Sequence, residues 1–318
     1  MKAIIQTNLE DPHSLELGET NKPQLQDGEV LVKVKAAGVN RADLLQARGH
    51  YPPPPGASEI IGLEVAGEVV DAGDTDIEVG SKVGALLAGG GYAEYVAVPQ
   101  GQLLPIPSGY SFAEAASVIE VACTVWSNIA MEAKLNKGQT ILIHGGAGGI
   151  GTFAIQVAKQ LGATVAVTAG SAEKLETCKG LGADILINYN EQDFAEELKN
   201  QCDVILDIMG AKYLKKNLIA LAKGGHMVTI GMQGGTKAEL NMGILLNKRL
   251  TLQGTTLRSR SLEGKAAIVA DTVKNVWPWL ENGSVKHHLH ATYALADASE
   301  AHQALDSGEV TGKLVLEV

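Results

Sequence analysis

TILIHGGAGGIGTFAIQVAKQLG, residues 140–162, is the stretch on which the fold turns. Thr140 to Ile143 is a short apolar run of the kind a buried strand requires. It breaks at His144 into Gly145-Gly146-Ala147-Gly148-Gly149-Ile150-Gly151. A helical pattern follows, with Ile150, Phe153, Ile155, Val157, Ala158 and Leu161 at its apolar positions. Gly146, Gly148 and Gly151 satisfy G-x-G-x-x-G in the strand–turn–helix setting that gives the motif meaning. Glycine permits the tight turn and lets the backbone approach a pyrophosphate at the helix N-terminus, among unpaired N–H groups. The same glycines also serve close helix–strand packing with no ligand at all. In this setting dinucleotide binding is the expected use.

The chain has 318 residues, enough for two domains, and is 45% apolar and 19% charged, as soluble globular proteins are. A net charge of −10 argues against a general nucleic-acid surface. MKAIIQTNLEDPHS reaches acidic and turn residues too soon for a signal peptide, and no uninterrupted 18-residue apolar span offers a membrane segment. Cys123, Cys178 and Cys202 are an odd number without C-x-x-C spacing, so reduced thiols in a cytoplasmic protein are expected.

Outward from the glycine turn, three regions differ. Residues 1–118 hold short β-rich runs split by Gly, Pro and Asp turns: KAIIQ, SLELG, EVLVKVKAAGV, IGLEVAGEVVDAG, KVGALLA and YAEYVAV. This spacing predicts a small barrel or sandwich, interrupted by a helical patch from Arg41 to Ala47. Ser111-Phe112-Ala113-Glu114 has the form of a helix capping box. Residues 119–260 alternate helix and strand, with further strands at ATVAVTA, DILIN, DVILDI, HMVTIG and LTLQGTT and helices such as 172–181 and 191–199. Such alternation demands a parallel sheet with crossover helices. Residues 261–318 carry a long helix (262–280), an ATYAL strand, a helix near 298–305 and a final KLVLEV strand. They are too few for a separate domain and are expected to complete the first one.

The second strand of the sheet chooses the cofactor. NAD-selective folds place an acidic residue about 20 residues beyond the glycine turn, where it binds the adenosine ribose. Here ATVAVT is followed by Ala169-Gly170-Ser171-Ala172-Glu173-Lys174, with no carboxylate at the strand tip. Gly170 and Ser171 leave room and offer donors, and Lys174 stands one helical turn on. A 2′-phosphate held by Lys174, Ser171 and the helix N-terminus would select NADPH. The competing reading makes Ser171 an N-cap and Lys174 a solvated helix residue.

None of the eight histidines lies in H-E-x-x-H, and no G-x-S-x-G elbow is present. No metal ligand set is expected. Hydride transfer needs neither metal nor nucleophile, because a nicotinamide supplies the electrons while the protein supplies position and polarity.

Gly38-Val39-Asn40-Arg41-Ala42-Asp43-Leu44-Leu45, His50-Tyr51 with Pro52–Pro55, and Ile61-Gly62-Leu63-Glu64-Val65-Ala66-Gly67 together resemble the quinone oxidoreductases. That group is the zinc-independent, zeta-crystallin-like branch of the medium-chain dehydrogenase/reductase superfamily. The resemblance runs to the Gly312-Lys313-Leu314-Val315-Leu316 ending. It implies a GroES-like β-barrel catalytic domain beside the Rossmann domain, substrate in an interdomain cleft, and a homodimer formed by edge pairing of Rossmann strands near 250–254. Zinc-dependent relatives have cysteine where this chain has Asn40, histidine at Leu63 and a third ligand near Glu120, so the resemblance implies a zinc-free site.

The same resemblance puts Gly170, Lys174 and Tyr189 around a 2′-phosphate. It puts Thr124, Ile230-Gly231-Met232 and the segment through Thr256, Leu257 and Arg258 near the nicotinamide. With the turn residues Gly146, Ala147, Gly148, Gly149 and Ile150, and with Ser171, these form the expected cofactor set. Asn40 is a candidate for hydrogen-bonding a substrate carbonyl, or else an N-cap for Arg41–Ala47. Tyr51 offers a phenolic donor or stacking face, or packs on the proline loop. Arg41 and Asp43 are expected to pair, and Glu64 to serve the barrel interior. The reaction implied is NADPH-dependent reduction of a quinone. Reduction of an α,β-unsaturated carbonyl is the alternative within the family fold. A non-catalytic NADPH-binding protein, crystallin-like or RNA-binding, is the alternative of another class.

Overall fold

Strands β1 (Lys2–Gln6) and β2 (Leu15–Glu19) pair antiparallel at the start of a computed structural model that describes residues 1–318. β3 (Glu29–Val39) is the spine of the first unit. Its alternating Val30, Val32 and Val34 point to one buried face, as the two-residue period of a strand requires. Helix α1 (Arg41–Ala47) follows, and then β4 (Glu64–Asp71), β5 (Lys82–Leu86), β6 (Tyr95–Pro99) and β7 (Leu103–Pro105). Helix α2 (Phe112–Ala116) begins at the expected capping box. Ser111 Oγ accepts from Glu114 N–H at 3.2 Å, and the Glu114 carboxylate accepts from Ser111 N–H at 2.7 Å.

Helix α3 (Ile119–Trp126) runs into a π-helical stretch and carries the chain from the first unit to the second, with the crossing at Cys123/Thr124. The second unit is built on β8 (Thr140–His144), α4 (Gly149–Gln160), β9 (Thr164–Ala169), α5 (Ala172–Gly180) and β10 (Ile185–Asn188). α6 (Phe194–Glu197), β11 (Cys202–Asp207), α7 (Leu214–Ala220), β12 (Leu221–Thr229), α8 (Met242–Lys248) and β13 (Thr251–Gly254) complete it. The strand order is β10-β9-β8-β11-β12-β13, with every neighbouring pair parallel. Ile141, Leu142 and Ile143 on β8 have no exposure, because helices cover both faces. Each such side chain contributes about 1.5–3 kcal/mol of burial. The order reverses between β8 and β11, the switch point outside which ligands of open α/β sheets bind.

The chain returns to the first unit at Leu257 with α9 (Leu262–Glu281), lends residues 284–286 to the second, and finishes with β14 (Leu289–Ala294), α10 (Ala298–Ser307) and β15 (Lys313–Glu317). β15 lies antiparallel on β3, so the sheet reads β14-β15-β3-β4-β5-β7 with β6 also on β3. The result is a GroES-like unit and a Rossmann unit. No helix is long and apolar enough to cross a membrane.

Two local expectations are corrected. The helix expected at 191–199 contracts to Phe194–Glu197, because Asp193 caps it by accepting from Ala195 N–H and Leu198 leaves helical geometry. Arg41 does not pair with Asp43, since positions two apart on a helix do not face each other. It pairs with Asp306 at 2.9 Å, while Asp43 is fully buried.

Candidate functional site

The glycine turn separates packing from ligand approach. A Cβ at Gly146 would stand 2.8 Å from Val167 Cβ, and one at Gly151 would stand 2.3 Å from Gly145 O. These two glycines are needed for the chain to pack on itself. A Cβ at Gly148 would meet nothing closer than Gly145 O at 3.5 Å, and its backbone, φ −76 and ψ 175, suits any residue. Gly148 is nonetheless glycine, exposed, at the N-cap of α4. Protein contacts do not demand it, and the space over its backbone is open. Ala147 is buried beneath the turn, and Gly149 and Ile150 open the first turn of α4.

At the tip of β9, the next strand, Gly170, Ser171 and Tyr189 come together. A Cβ on Gly170 would stand 2.4 Å from the Tyr189 hydroxyl, so only glycine lets the phenol lie over the turn. Tyr189 is 47% exposed and Glu173 faces solvent, while Ser171 caps α5 by accepting from Lys174 N–H at 3.3 Å. The N-cap role of Ser171 is therefore real, and it leaves the first turn of α5, with half-buried Lys174, beside Gly170.

On the other side of the switch point, Ile230 N–H donates to Asp207 O at 2.8 Å and a Cβ on Gly231 would stand 2.9 Å from Ile208 O. Met232 follows, 60% exposed. Thr124 is buried, and its carbonyl accepts from Asn128 Nδ2 at 2.7 Å. The Asn128 Oδ1 in turn accepts from the Thr255 hydroxyl, which brings Thr124 and the segment ending at Thr256 to one region of the second unit. Leu257 and Arg258 belong to the first unit.

A buried polar chain ties this region to the glycine turn, and no motif in the sequence announces it. His144 Nε2 lies 2.8 Å from Asn217 Oδ1, and its Nδ1 lies 3.1 Å from Thr168 Oγ1. Burial holds the imidazole near a pKa of about 4, so it is neutral. Asn217 Oδ1 can only accept, so Nε2 carries the proton and Nδ1 accepts from Thr168. Asn217 also reaches Asp207, whose carboxylate accepts from Met209 and Gly210 N–H and from the Thr229 hydroxyl. A cavity of about 250 Å³ beside Asp207 is lined by Met227, Thr229, Met232, Gly235 and Thr236. Signals of this kind are spread across five elements and have no spacing to read.

In the first unit, Asn40 is the N-cap residue of α1, but its amide is engaged elsewhere. Nδ2 donates to Glu64 Oε1 at 2.8 Å, and Oδ1 accepts from Lys313 Nζ at 2.6 Å. The helix start is closed by Asp43 Oδ2, which accepts from Asn40 N–H at 2.7 Å. Asn40 is 8% exposed and keeps one Nδ2 proton uncommitted. Tyr51 is half-buried, with the Arg258 guanidinium 5.2 Å from its ring centre. The donor set at the zinc positions does not fit zinc. Leu63 has no donor atom, and the Asn40 oxygen already faces an ammonium cation.

Two family models match: the alcohol dehydrogenase GroES-like domain over residues 26–108 and the zinc-binding dehydrogenase over 149–280. A quinone oxidoreductase of Pseudomonas aeruginosa is 32% identical over 316 residues, covering 96% of each chain. The chain belongs to the quinone oxidoreductase family. Another member, the Escherichia coli quinone oxidoreductase complexed with NADPH, superposes with a TM-score of 0.89 at 28% identity over 100% of both chains. A phenolphthiocerol/phthiocerol polyketide synthase subunit of Mycobacterium tuberculosis is 27% identical, and there this chain spans 15% of the relative's length. Membership places the chain in the medium-chain dehydrogenase/reductase superfamily.

Proposed function

We propose that this chain binds NADPH and reduces quinones by hydride transfer, without a metal. The observation that carries the reading is the tip of β9, where Gly170, Ser171, the first turn of α5 and Tyr189 gather with no carboxylate on the strand tip itself, and the one acid of that turn, Glu173, faces solvent. Lys174 supplies the charge there. A lysine–phosphate contact is worth up to about 4 kcal/mol at an effective dielectric near 20, and a fraction of that selects NADPH over NADH. The turn 146–150 holds the pyrophosphate, and the backbone of Thr124, 230–232 and 256–258 holds the nicotinamide side. When bound, the cofactor supplies a hydride. The protein's own part is positioning: Tyr51 offers a ring face and a phenolic donor, and the remaining Nδ2 proton of Asn40 offers a hydrogen bond to a substrate carbonyl. The poor fit of Asn40 and Leu63 to zinc supports chemistry without it.

The polyketide synthase likeness favours a second reading, NADPH-dependent reduction of an activated alkene. A substrate panel separates the two. Turnover of 1,2-naphthoquinone well above that of short enones supports quinones, and the reverse order overturns them. Tight NADPH binding with turnover of neither supports the non-catalytic alternative.

A homodimer by edge pairing belongs to the same proposal. β13 ends its sheet with β12 as its single neighbour, and Met242 and Leu246 on nearby α8 are 62% and 75% exposed. The buried, unpaired Cys123, Cys178 and Cys202 support a cytoplasmic setting.

A further inference from the structure

Tyr51 sits at the head of a loop that cannot hold itself. Pro52, Pro53, Pro54 and Pro55 present carbonyls and no N–H, so the loop lacks donors for internal bonding. Its one backbone bond is Ala57 N–H to Pro54 O at 3.0 Å. What fixes the loop is Arg258. Its Nη1 donates to Tyr51 O at 2.9 Å, its Nε to Ala88 O at 2.7 Å, and its Nη2 to Gln46 Oε1 at 2.7 Å. Gln46 Nε2 passes the restraint on to Glu59 O at 2.9 Å, at the far end of the same loop. One guanidinium therefore ties together the last turn of α1, the Tyr51 loop and the turn after β5.

No carboxylate is bonded to that guanidinium, although Asp43 and Glu59 stand near enough to act on its charge. Arg258 is 5% exposed and bonds only carbonyl and amide oxygens. Behind it lies a second buried cation, Lys265, also 5% exposed, whose ammonium makes a single long contact of 3.5 Å to Arg258 O. Burial first, and then the neighbouring guanidinium, push the Lys265 pKa down. Buried charges are ordinarily paired, because an unpaired one costs several kcal/mol. Two of one sign, side by side and with no carboxylate bonded to either, are expensive as scaffolding. They make sense where negative charge arrives during function.

We propose that Arg258 is a positioning residue for Tyr51, and that its charge, reinforced by Lys265, tunes this half-site to substrates whose oxygen becomes anionic on reduction. The inference rests on the quinone reading. A hydride added to a quinone gives the hydroquinone monoanion, and one proton from water completes the hydroquinone. The positive field acts on that monoanion and on the transition state leading to it, more than on the neutral quinone. The Arg258 side chain thus acts on the substrate, while the backbone of 256–258 keeps its expected place beside the cofactor.

The test uses Arg258→Met, Arg258→Lys, Tyr51→Ala, the Arg258→Met/Tyr51→Ala pair and Lys265→Met. NADPH affinity is read by cofactor fluorescence, and kcat and KM with 1,2-naphthoquinone. Arg258→Met should lower kcat about tenfold or more while NADPH Kd stays within about twofold, and Arg258→Lys should recover little, because an ammonium cannot span three fixed acceptors. On the Tyr51→Ala background, Arg258→Met should cost less than about twofold further. Lys265→Met should lower kcat about threefold or more while raising the thermal midpoint, since a buried unpaired charge is removed. Unchanged kcat in both Arg258 variants, or effects of Arg258 and Tyr51 that multiply, overturns the positioning role. Unchanged kcat in Lys265→Met overturns the electrostatic role. Should Arg258→Met not fold, Gln46→Ala removes one leg of the clamp and must lower kcat in the same sense. If the wild-type chain reduces no quinone, the functional reading alone fails. The clamp is then judged by the ¹³C-tyrosine resonance of Tyr51, which Arg258→Lys must shift and Lys174→Ala must not.

Discussion

The Lys313 ammonium donates to Glu64 Oε1 at 2.7 Å with Glu64 fully buried and Lys313 5% exposed, joining the last strand of the chain to β4. Around this pair, Lys313 also reaches Val39 O and Asn40 Oδ1, and Glu64 Oε2 accepts from Glu120 N–H. Asn40 and Glu120 are two of the positions where zinc-dependent relatives are implied to hold their metal. Here a protein-borne cation stands beside them, and both oxygens of the Glu64 carboxylate are bonded.

Removing one partner should therefore cost far more than removing both. Lys313→Met should destabilise the chain by about 3–5 kcal/mol, because it strands a buried carboxylate. Lys313→Met with Glu64→Leu should regain at least about half of that loss. Urea unfolding of the three proteins measures it. A double variant no more stable than the single one would show that the pair itself supplies the stability.

The pH dependence of stability should carry the mark of Asp43. Burial raises its carboxyl to about 7, against the opposing pull of the Asn40 N–H, Lys313 and Tyr92. Its Oδ1 has no partner, which gives the proton a place to sit. The folded pKa lies above the unfolded one, so this contribution is full below about pH 4 and is lost as pH rises through about 7. His302 works in the opposite sense. Burial lowers it to about 3, so its contribution is present above about 6.5 and is lost as pH falls towards 3. Asp43→Asn should leave only the opposing terms, making unfolding free energy rise more steeply with pH by up to about 1.4 kcal/mol per unit between about 5 and 6.5. An unaltered slope in denaturant titrations across that range rejects the assignment.

Two glycines of the turn should answer differently to the same substitution. Gly151→Ala places a methyl group 2.3 Å from Gly145 O and should unfold or severely destabilise the second unit. Gly148→Ala meets nothing nearer than 3.5 Å and should keep wild-type stability. It should nonetheless weaken NADPH binding by about tenfold or more, because the methyl group stands where the pyrophosphate approaches. Thermal melting and cofactor fluorescence together decide. A Gly148→Ala protein that binds NADPH normally would return the turn to a packing role.

Cofactor preference is a separate matter, set at the tip of β9 in the proposed reading. Lys174→Ala should raise the apparent KM for NADPH about tenfold while moving that for NADH by less than about twofold. Equal effects on both cofactors would remove the phosphate from this corner.

The elements that could be read locally are those whose signal is local. Residues 140–162 held strand, turn and helix in one contiguous pattern, and the capping box at Ser111 and Glu114 formed as spaced. The helix at 191–199 shrank because a cap at Asp193 competes with a weak apolar pattern. The Arg41 partner lay 265 residues away in Asp306, beyond any spacing rule.

By itself, then, the sequence determined that a parallel sheet carries a dinucleotide-type turn and that no carboxylate guards the tip of its second strand. Those properties follow from backbone freedom, hydrophobic period and side-chain chemistry, all set within a few residues. Only the tertiary structure decided that Gly148 is not needed for packing, that the Asn40 amide is held by Lys313 and Glu64, and that Arg258 clamps the Tyr51 loop. Each depends on atoms brought together from distant parts of the chain, and burial then turns those meetings into strong interactions by removing water. The turn at 145–151 could be recognised from its letters, while the charge beside Tyr51 required the fold.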